Sequence, residues 1–325
     1  ELVRFQGIPL RKLVGACLIA VKRLLCVCSE RLEALANYQR PLYRKMRMFR
    51  FKGLRGLALV FMLGALGSFH GTAAAESKGV ILLAKISGEV KVQVDGKLDP
   101  TGKPLFLSSE QVKAGAPIFA GHTIVTGKAK GSSAILLFSN GAVVTLEEDS
   151  QLNLNRFMQV PFTSAGKKVS ELLEEPSSSL TMLNLNYGQM VIAVKKLAQR
   201  SRFYLTSPVG TADFRGGDNA LGLSANPASG GGFVSDLIVS RGSVVFKVAP
   251  RTPGAPSQAI PLAAGMSLRP TVNAAGAPTI PSSAPATASK LQAITEALAA
   301  TSGAIASATL DMVTAALRKS ESQLA

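Results

Sequence analysis

Residue types that often carry chemistry are scarce in this sequence, which contains no tryptophan, three cysteines and two histidines in 325 residues. All three cysteines, Cys17, Cys26 and Cys28, precede Met46. From residue 46 onward the chain therefore cannot form a disulfide, use a thiol nucleophile or bind a metal through cysteine. Cys26 and Cys28 have no second pair at zinc-finger spacing, so they do not predict a zinc site.

Motifs of common catalytic and cofactor sites are also missing. The sequence has no P-loop, no dinucleotide fingerprint and no Gly-x-Ser-x-Gly elbow. The one histidine after residue 75 is His122, and it lies in a predicted turn, which favours a loop position over a catalytic triad. The acidic run at residues 147–149 lacks the ligand spacing of an EF-hand loop. We therefore predict a protein that is not an enzyme and has no cofactor or metal.

Positive charge is concentrated at the start of the chain. Residues 1–75 carry 13 basic and 3 acidic residues, so this segment supplies +10 of the formal net charge of +16. The remaining +6 is spread over 250 residues, which is an ordinary surface with a weak bias toward anionic partners. A basic cluster at Lys195, Lys196, Arg200 and Arg202 is interpreted as a solvated strand edge. The charge does not predict a nucleic-acid partner.

Residues 46–75 have the three parts of a secretory signal in order. Arg47, Arg50, Lys52 and Arg55 form a basic region, residues 57–66 are apolar, and small residues surround Ala73 and Ala75. The pattern predicts export to the periplasm or beyond, with cleavage after Ala75. The apolar run is shorter than the roughly 20 residues of a comfortable membrane span. An uncleaved signal, the alternative, would be the only membrane contact.

Residues 1–45 allow two interpretations, because a secretory signal rarely begins so far into a chain. Either translation starts at Met46 or Met48 and the gene start is overextended, or these residues form a cytoplasmic tail before a signal anchor. The apolar stretch at residues 13–27 is broken by Lys22 and Arg23, which makes it a poor membrane span. The overextended start is the preferred interpretation.

The strongest strand signal lies at residues 121–154. Two apolar runs, 134–138 and 142–146, are separated by Ser139, Asn140 and Gly141. Asn-Gly between such runs predicts a hairpin with a type I′ turn, in which both central residues have positive φ. Downstream, Leu152 and Leu154 alternate with asparagines, the period of a half-buried strand.

Glycine followed by a strand recurs about every 50 residues, at Gly88, Gly141, Gly188 and Gly242. This spacing is typical of stacked β units and equally of a meander of short strands, so the sequence leaves both open. Residues 158–180 interrupt the strand pattern. We predict that they form an insertion over one side of the sheet, with a helical turn at 170–175 ended by Pro176.

The C-terminal part changes composition at residue 249. Eight of the 17 prolines lie between Pro250 and Pro285, which predicts a linker over 250–287 with one strand near 263–268. Residues 288–319 predict an amphipathic helix whose apolar seam is Leu291, Leu298, Ile305 and Met312. The helix could dock on its own domain or pair between chains. Interruptions within the seam favour a monomer.

Three stretches share a pattern with one known family. They are the hairpin region at 121–154, YGQMVIAV at 187–194, and FYLTSPVGTADFRGGDNALGL at 203–223. This pattern resembles the FecR domain, an exported all-β domain of bacterial envelope proteins. The family-motif residues are Asn140, Gly141, Gly188, Pro208, Gly210, Arg215 and Gly216. Gly217 stands where the family has threonine.

The resemblance covers roughly residues 85–270 and implies an all-β domain over 76–249, built as a short-strand meander or sandwich or as a solenoid. It further implies a non-enzymatic interaction or signal-sensing module of the envelope, whose partner is an envelope protein or polymer. Residues 1–45 do not support the transfer of sigma-factor regulation. The alternative function is a structural or carbohydrate-associated envelope component assembled through the C-terminal helix.

Overall fold

The strands from Ser77 to Pro285 belong to one hydrogen-bonded sheet, so the protein is all-β with a C-terminal helix. The computed structural model describes residues 77–163, 166–248 and 258–315, and the predicted signal segment with Ala73 and Ala75 lies outside them. The strands are β1 Ser77–Lys78, β2 Ile81–Ser87, β3 Val90–Leu98, β4 Pro104–Phe106, β5 Pro117–Ile118, β6 His122–Thr126, β7 Ser133–Phe138, β8 Val143–Leu146, β9 Gln151–Gln159, β10 Ser179–Val194, β11 Arg202–Ser207, β12 Gly210–Pro227, β13 Gly232–Val248, β14 Ala259–Ala263, β15 Met266–Leu268, β16 Thr271–Asn273, β17 Pro278–Thr279 and β18 Ala284–Pro285.

The predicted hairpin is present, but the turn type is not the predicted one. β7 and β8 pair antiparallel up to Leu137 opposite Val143. The Gly141 N–H donates to the carbonyl of Phe138 at 2.9 Å, and φ is 85° at Gly141. Asp149 is the one described non-glycine residue with positive φ, so Asn140 cannot adopt the type I′ conformation. The loop has three residues and ends on a left-handed glycine.

Asn140 explains the difference. Its side chain is buried, and its Oδ1 accepts the Ala142 N–H at 3.1 Å inside the turn. Its Nδ2 donates to Ser179 Oγ at 3.1 Å and to Thr181 Oγ1 at 3.3 Å on β10. The asparagine therefore connects the hairpin to a distant strand, and the left-handed conformation falls to Gly141 alone.

Gly141→Val is expected to lower the free energy of unfolding by about 1 to 3 kcal/mol, because a β-branched residue is strained at positive φ. A Cβ would also lie 3.2 Å from Leu172 Cδ1 and from Lys195 Cγ. Urea unfolding of the full chain measures the loss. A midpoint equal to wild type would contradict this turn geometry.

Three of the four recurring glycines share one local geometry. Gly88, Gly188 and Gly242 all have positive φ, and each lies against a polar residue of another segment that leaves no room for a Cβ. In each case the N–H of the following residue donates to that polar side chain. The three bonds are Glu89 N to Ser132 Oγ at 3.4 Å, Gln189 N to Ser150 Oγ at 2.9 Å, and Ser243 N to Asn219 Oδ1 at 2.7 Å. The recurring pattern of a glycine followed by a strand thus corresponds to a backbone corner that occurs at three places in the sheet.

The core lies on one face of these strands and contains four fully buried phenylalanines. Phe138 meets Phe157 edge-to-face with ring centroids 5.2 Å apart. Phe203 meets Phe214 in the same way at 5.1 Å. Apolar side chains from β2 through β15 complete the cluster, so the sheet folds around a single interior.

The segment between β9 and β10 covers the sheet and binds the C-terminal tail. β9 extends to Gln159 and β10 begins at Ser179, so the segment is slightly shorter than the predicted 158–180. It contains one 3-10 turn, Val169–Glu171. The Val169 N–H donates to the carbonyl of Ala308 at 3.0 Å, and the Leu310 N–H donates to the carbonyl of Lys167 at 2.9 Å.

The region predicted as a linker over 250–287 continues the sheet from β14 onward. β14, β15 and β16 pair with β13, and β17 and β18 pair with β16 and β15. Prolines are tolerated here because these are short strands at the margin of the sheet, where a missing N–H costs little. Pro261, Pro278 and Pro285 thus lie in strands at the margin of the sheet.

The helix docks on its own sheet through Ile294 and, beside it, through Leu291 and Leu298 of the predicted seam. Helix α1 is Ala288–Ala304, shorter than the predicted 288–319, and a second helical stretch covers 310–315. Ile294 packs on Val191 and Ile238, above Gly222, where a Cβ would lie 2.7 Å from Ile294 Cδ1. Met312 of the predicted seam is 56% exposed.

Past α1, the chain packs on a second apolar cluster. Ile305, Leu310 and Val313 are buried there with residues of β2, β7 and the 3-10 turn. A hydrogen bond of 2.5 Å between Thr145 Oγ1 and Thr301 Oγ1 joins the helix to β8. Three of the four predicted seam residues, Leu291, Leu298 and Ile305, therefore face the sheet, and Met312 does not.

Candidate functional site

The solvent-facing side of β9 to β13 presents polar residues in register. Side chains alternate along a strand, so the residues between the buried leucines of β9 and β10 point away from the core. Strand pairing aligns these positions into one row across five strands. Neighbouring strands are about 4.8 Å apart, so the row spans roughly 19 Å. Its members are Asn153, Asn184, Thr206, Thr211 and Lys247. We call this side the outward face.

Hydrogen bonds between side chains fix the polar row. Asn184 Nδ2 donates to Asn186 Oδ1 at 2.6 Å, and Asn186 Nδ2 donates to Asn153 Oδ1 at 3.1 Å. Thr206 Oγ1 and Thr211 Oγ1 lie 3.1 Å apart. Each amide retains further donor and acceptor capacity, and none of these residues is fully buried. The row is therefore an ordered platform of hydrogen-bonding groups.

Two adjacent rows of the outward face carry cations and apolar side chains. One row aligns Lys78, Met158, Leu180 and Arg202 across β1, β9, β10 and β11. The next aligns Arg156, Met182, Tyr204 and Asp213 across β9 to β12. Met182 is 39% exposed, which is unusual for a methionine in a strand. We call Lys78, Arg156 and Arg202 the cationic corner.

Asp213 is the one acidic side chain among the outward positions of these rows, and it is buried beneath two cations. Arg215 NH2 lies 2.5 Å and Lys247 Nζ 2.9 Å from Asp213 Oδ2. The Lys247 ammonium also lies 6.0 Å from the centroid of the Tyr204 ring. Arg215, a residue of the family motif, thus anchors one margin of the outward face through its ion pair with Asp213.

The other motif residues shape the backbone around this face. Pro208 lies in the turn between β11 and β12, where Ser207 Oγ donates to the carbonyl of Gly210 at 3.2 Å. A Cβ at Gly210 would lie 2.5 Å from the carbonyl oxygen of Lys247, so only glycine fits. Gly216 has φ of 63° in the excursion that interrupts the pairing of β12 with β13. These residues position the face and do not themselves form a site.

A buried polar network lies at the end of the same strands, around Glu175. The carboxylate accepts the Ala198 N–H at 2.7 Å and the Ser179 hydroxyl at 2.8 Å, and it also accepts the Ser201 hydroxyl. Ser179 in turn accepts from Asn140. Burial raises the pKa of Glu175 to about 7, although these hydrogen bonds oppose the shift.

The sequence did not single out Glu175. The available signal was a glutamate directly before Pro176 and three serines, in a segment otherwise rich in exposed charge. Its partners Ala198 and Ser201 lie more than 20 residues away, and no sequence spacing connects them to it.

His122 is the first residue of β6, not the loop residue that the sequence predicts, and its charged neighbours are Asp95 and Lys97. It is half-buried, its Nδ1 lies 3.0 Å from the carbonyl oxygen of Phe119, and burial lowers its pKa. Over the described ranges, no three or more histidine, cysteine, aspartate and glutamate side chains are grouped to hold a metal ion. No helix in the described part of the chain has the length and hydrophobicity to cross a membrane.

Comparisons with solved structures find distant neighbours, of which two are described. Both are crystal structures of a candidate anti-sigma factor from Parabacteroides distasonis ATCC 8503, at 2.50 Å and 1.65 Å resolution. The chain is 15% and 14% identical to them with TM-scores of 0.35, and the matches cover 53% of this chain. The chain spans only about three fifths of each neighbour, 62% and 63%. No protein-family profile matches the chain, and no curated protein matches its sequence.

Proposed function

We propose that this protein is an exported, non-enzymatic FecR-like interaction module of the bacterial envelope, and that it binds an envelope polymer through the outward face. The observation that carries the proposal is the register of that face. Amide, hydroxyl and cationic side chains from neighbouring strands share one solvent-facing surface, and hydrogen bonds join the asparagines to one another and Thr206 to Thr211. The three-part signal pattern and the resemblance to the FecR domain support export.

Assembly through the C-terminal helix receives less support. Ile294, Ile305, Leu310 and Val313 are already buried against the chain's own sheet. A helix whose apolar residues are covered has little surface left for pairing between chains. We therefore expect a monomer that uses the sheet, and not the helix, to bind its partner.

Maturation is tested by N-terminal sequencing and intact-mass measurement of the protein from an envelope fraction. We expect the exported form to begin at Glu76, because small residues surround Ala73 and Ala75 after the apolar segment. A chain that retains Cys17 would contradict cleavage.

Binding through the outward face is tested by covering it. Thr206→Trp places a bulky ring in the middle of the polar row, and the full chain is sedimented with purified envelope fragments. We expect the variant to remain in the supernatant while wild type sediments. Ser109→Trp, at an exposed loop position away from these rows, should sediment like wild type.

Thermal melting of both variants shows whether each remains folded. Undiminished sedimentation of a folded Thr206→Trp variant would rule out the outward face as the binding surface.

A further inference from the structure

We infer that the polymer bound by the outward face is an acidic polysaccharide whose anionic groups contact the cationic corner. This inference rests on the proposed function and adds the chemical class of the ligand. It is argued from the balance of charge on the face, the spacing of the cations and the polar row beside them.

The outward face carries positive charge that no carboxylate in the described part of the chain neutralises. Among the described residues, Lys78 and Arg156 form no salt bridge, and the guanidinium of Arg202 donates to the carbonyl of Ser201, at 2.9 Å. Both arginines are exposed. Elsewhere on the face, Asp213 is shared by Arg215 and Lys247 and leaves one positive charge in excess. The face therefore complements an anion.

The cations are too sparse for a nucleic acid. Lys78 and Arg202 are separated by three strand steps, or about 14 Å. A nucleic-acid strand carries a phosphate about every 3.4 Å, and its binding proteins match that density with many lysines and arginines. Stacking of bases would also need exposed aromatic rings. In the two cationic rows the one aromatic is Tyr204, which is half-buried and partly covered by Lys247. A polymer that is bound mainly through its hydroxyl groups, with a few contacts to carboxylates, fits this surface better.

The polar row favours a hydroxyl-rich chain over an acidic peptide. Asparagine amides and threonine hydroxyls both donate and accept, so they match sugar hydroxyl groups, which do the same. Extended peptides instead add to the edge of a sheet, because they need its free backbone groups. Here the backbone groups of β9 to β12 are already paired on both sides. The outward face offers side chains alone.

The experiment compares four polymers on the full chain by isothermal titration calorimetry at low salt. The probes are polygalacturonate, the neutral polysaccharide dextran, single-stranded DNA and polyglutamate. We expect polygalacturonate to bind most tightly and dextran not to bind. The double variant Arg156→Ala and Arg202→Ala should weaken binding of polygalacturonate about tenfold, since it removes two charge-assisted contacts. Added salt should weaken binding to wild type.

The matched control removes the same charge from another surface. Lys128→Ala with Lys130→Ala changes two exposed lysines of the β6–β7 turn, and it should leave the affinity for polygalacturonate close to wild type. Equal losses in both double variants would show a non-specific charge effect and overturn the inference. So would absence of binding to polygalacturonate, equal binding of dextran, or tighter binding of DNA or polyglutamate.

Failure of this inference is distinguishable from failure of the proposed function. Suppose dextran binds as well as polygalacturonate and Thr206→Trp abolishes sedimentation with envelope fragments. The outward face is then the binding surface, and only the acidic character of the ligand is wrong. If Thr206→Trp sediments normally, the proposed function itself is wrong.

Discussion

Glu175→Gln is expected to flatten the dependence of stability on pH. The pKa of Glu175 is about 7 in the folded protein, above the ordinary value of 4.5. A raised pKa means that folding favours the protonated form. The stabilisation is therefore complete below about pH 4.5 and is lost as the pH rises through 7. Between pH 5 and pH 8 the wild-type protein should lose about 2 kcal/mol from this group.

Urea unfolding of the full chain at pH 5, 6.5 and 8 measures this slope. Glutamine preserves an acceptor for the Ala198 N–H and cannot ionise, so the variant should match wild type at pH 5 and exceed it at pH 8. Glu174→Gln is the matched control, because Glu174 is 65% exposed and pairs with Lys196 at the surface. That control should retain the wild-type slope. A Glu175→Gln protein with the full wild-type slope would show that another group is responsible.

Gly188→Ala is expected to lower the free energy of unfolding by about 3 to 5 kcal/mol, since backbone strain and overpacking both contribute. Gly188 has φ of 95°, and an added Cβ would overlap the backbone and hydroxyl of Ser150. Ser150 is fully buried and accepts the Gln189 N–H, so it cannot move aside.

Gly96→Ala measures the cost of backbone strain at positive φ without steric overlap of the new Cβ. Gly96 also has positive φ, 69°, but a Cβ there would meet nothing within 4 Å. We expect a loss of about 1 kcal/mol at this position, the cost of the left-handed conformation alone. Denaturant midpoints of the two variants give the comparison. Equal losses of unfolding free energy in Gly188→Ala and Gly96→Ala would mean that overlap with Ser150 does not contribute to the destabilisation.

Local signals in the sequence were sufficient for the hairpin and for the all-β class. Asn140 and Gly141 between two apolar runs located the β7–β8 turn, because glycine and short polar residues are needed there. The turn type could not be predicted, since it depends on the bonds from Asn140 to Ser179 and Thr181. Those partners are about 40 residues away, at the start of β10, where that strand pairs with β9.

In the tail, the regular pattern was correct as far as Ile305 and wrong beyond it. The heptad seam put Met312 on the buried side, whereas Leu310 and Val313 are the buried residues. A turn ends α1 at Ala304. The residues beyond this turn therefore no longer face the sheet at the spacing that α1 would give them. A pattern read through that turn assumes a helix that the chain does not form.

The sequence predicted the polar side of one strand of the outward face, but not which strands lie beside it. The alternation of Leu152 and Leu154 with Asn153 predicted a half-buried strand with asparagine on its polar side. The pairing of Asn153 with Asn184, and of Leu180 with Arg202, joins segments that share no local signal. In particular, β10 and β11 pair in parallel, which no hairpin rule predicts. From the sequence alone, Arg202 is interpreted as part of a solvated strand edge. The structure places it in a row of the outward face.

Photo-crosslinking in living cells tests the central claim most directly. A benzoylphenylalanine in place of Thr206 reports what touches the outward face, and the same residue in place of Ser109 reports the loop control. We predict adducts at position 206 that stain for carbohydrate, and none at position 109. Carbohydrate adducts at position 109 with none at position 206 would contradict the account.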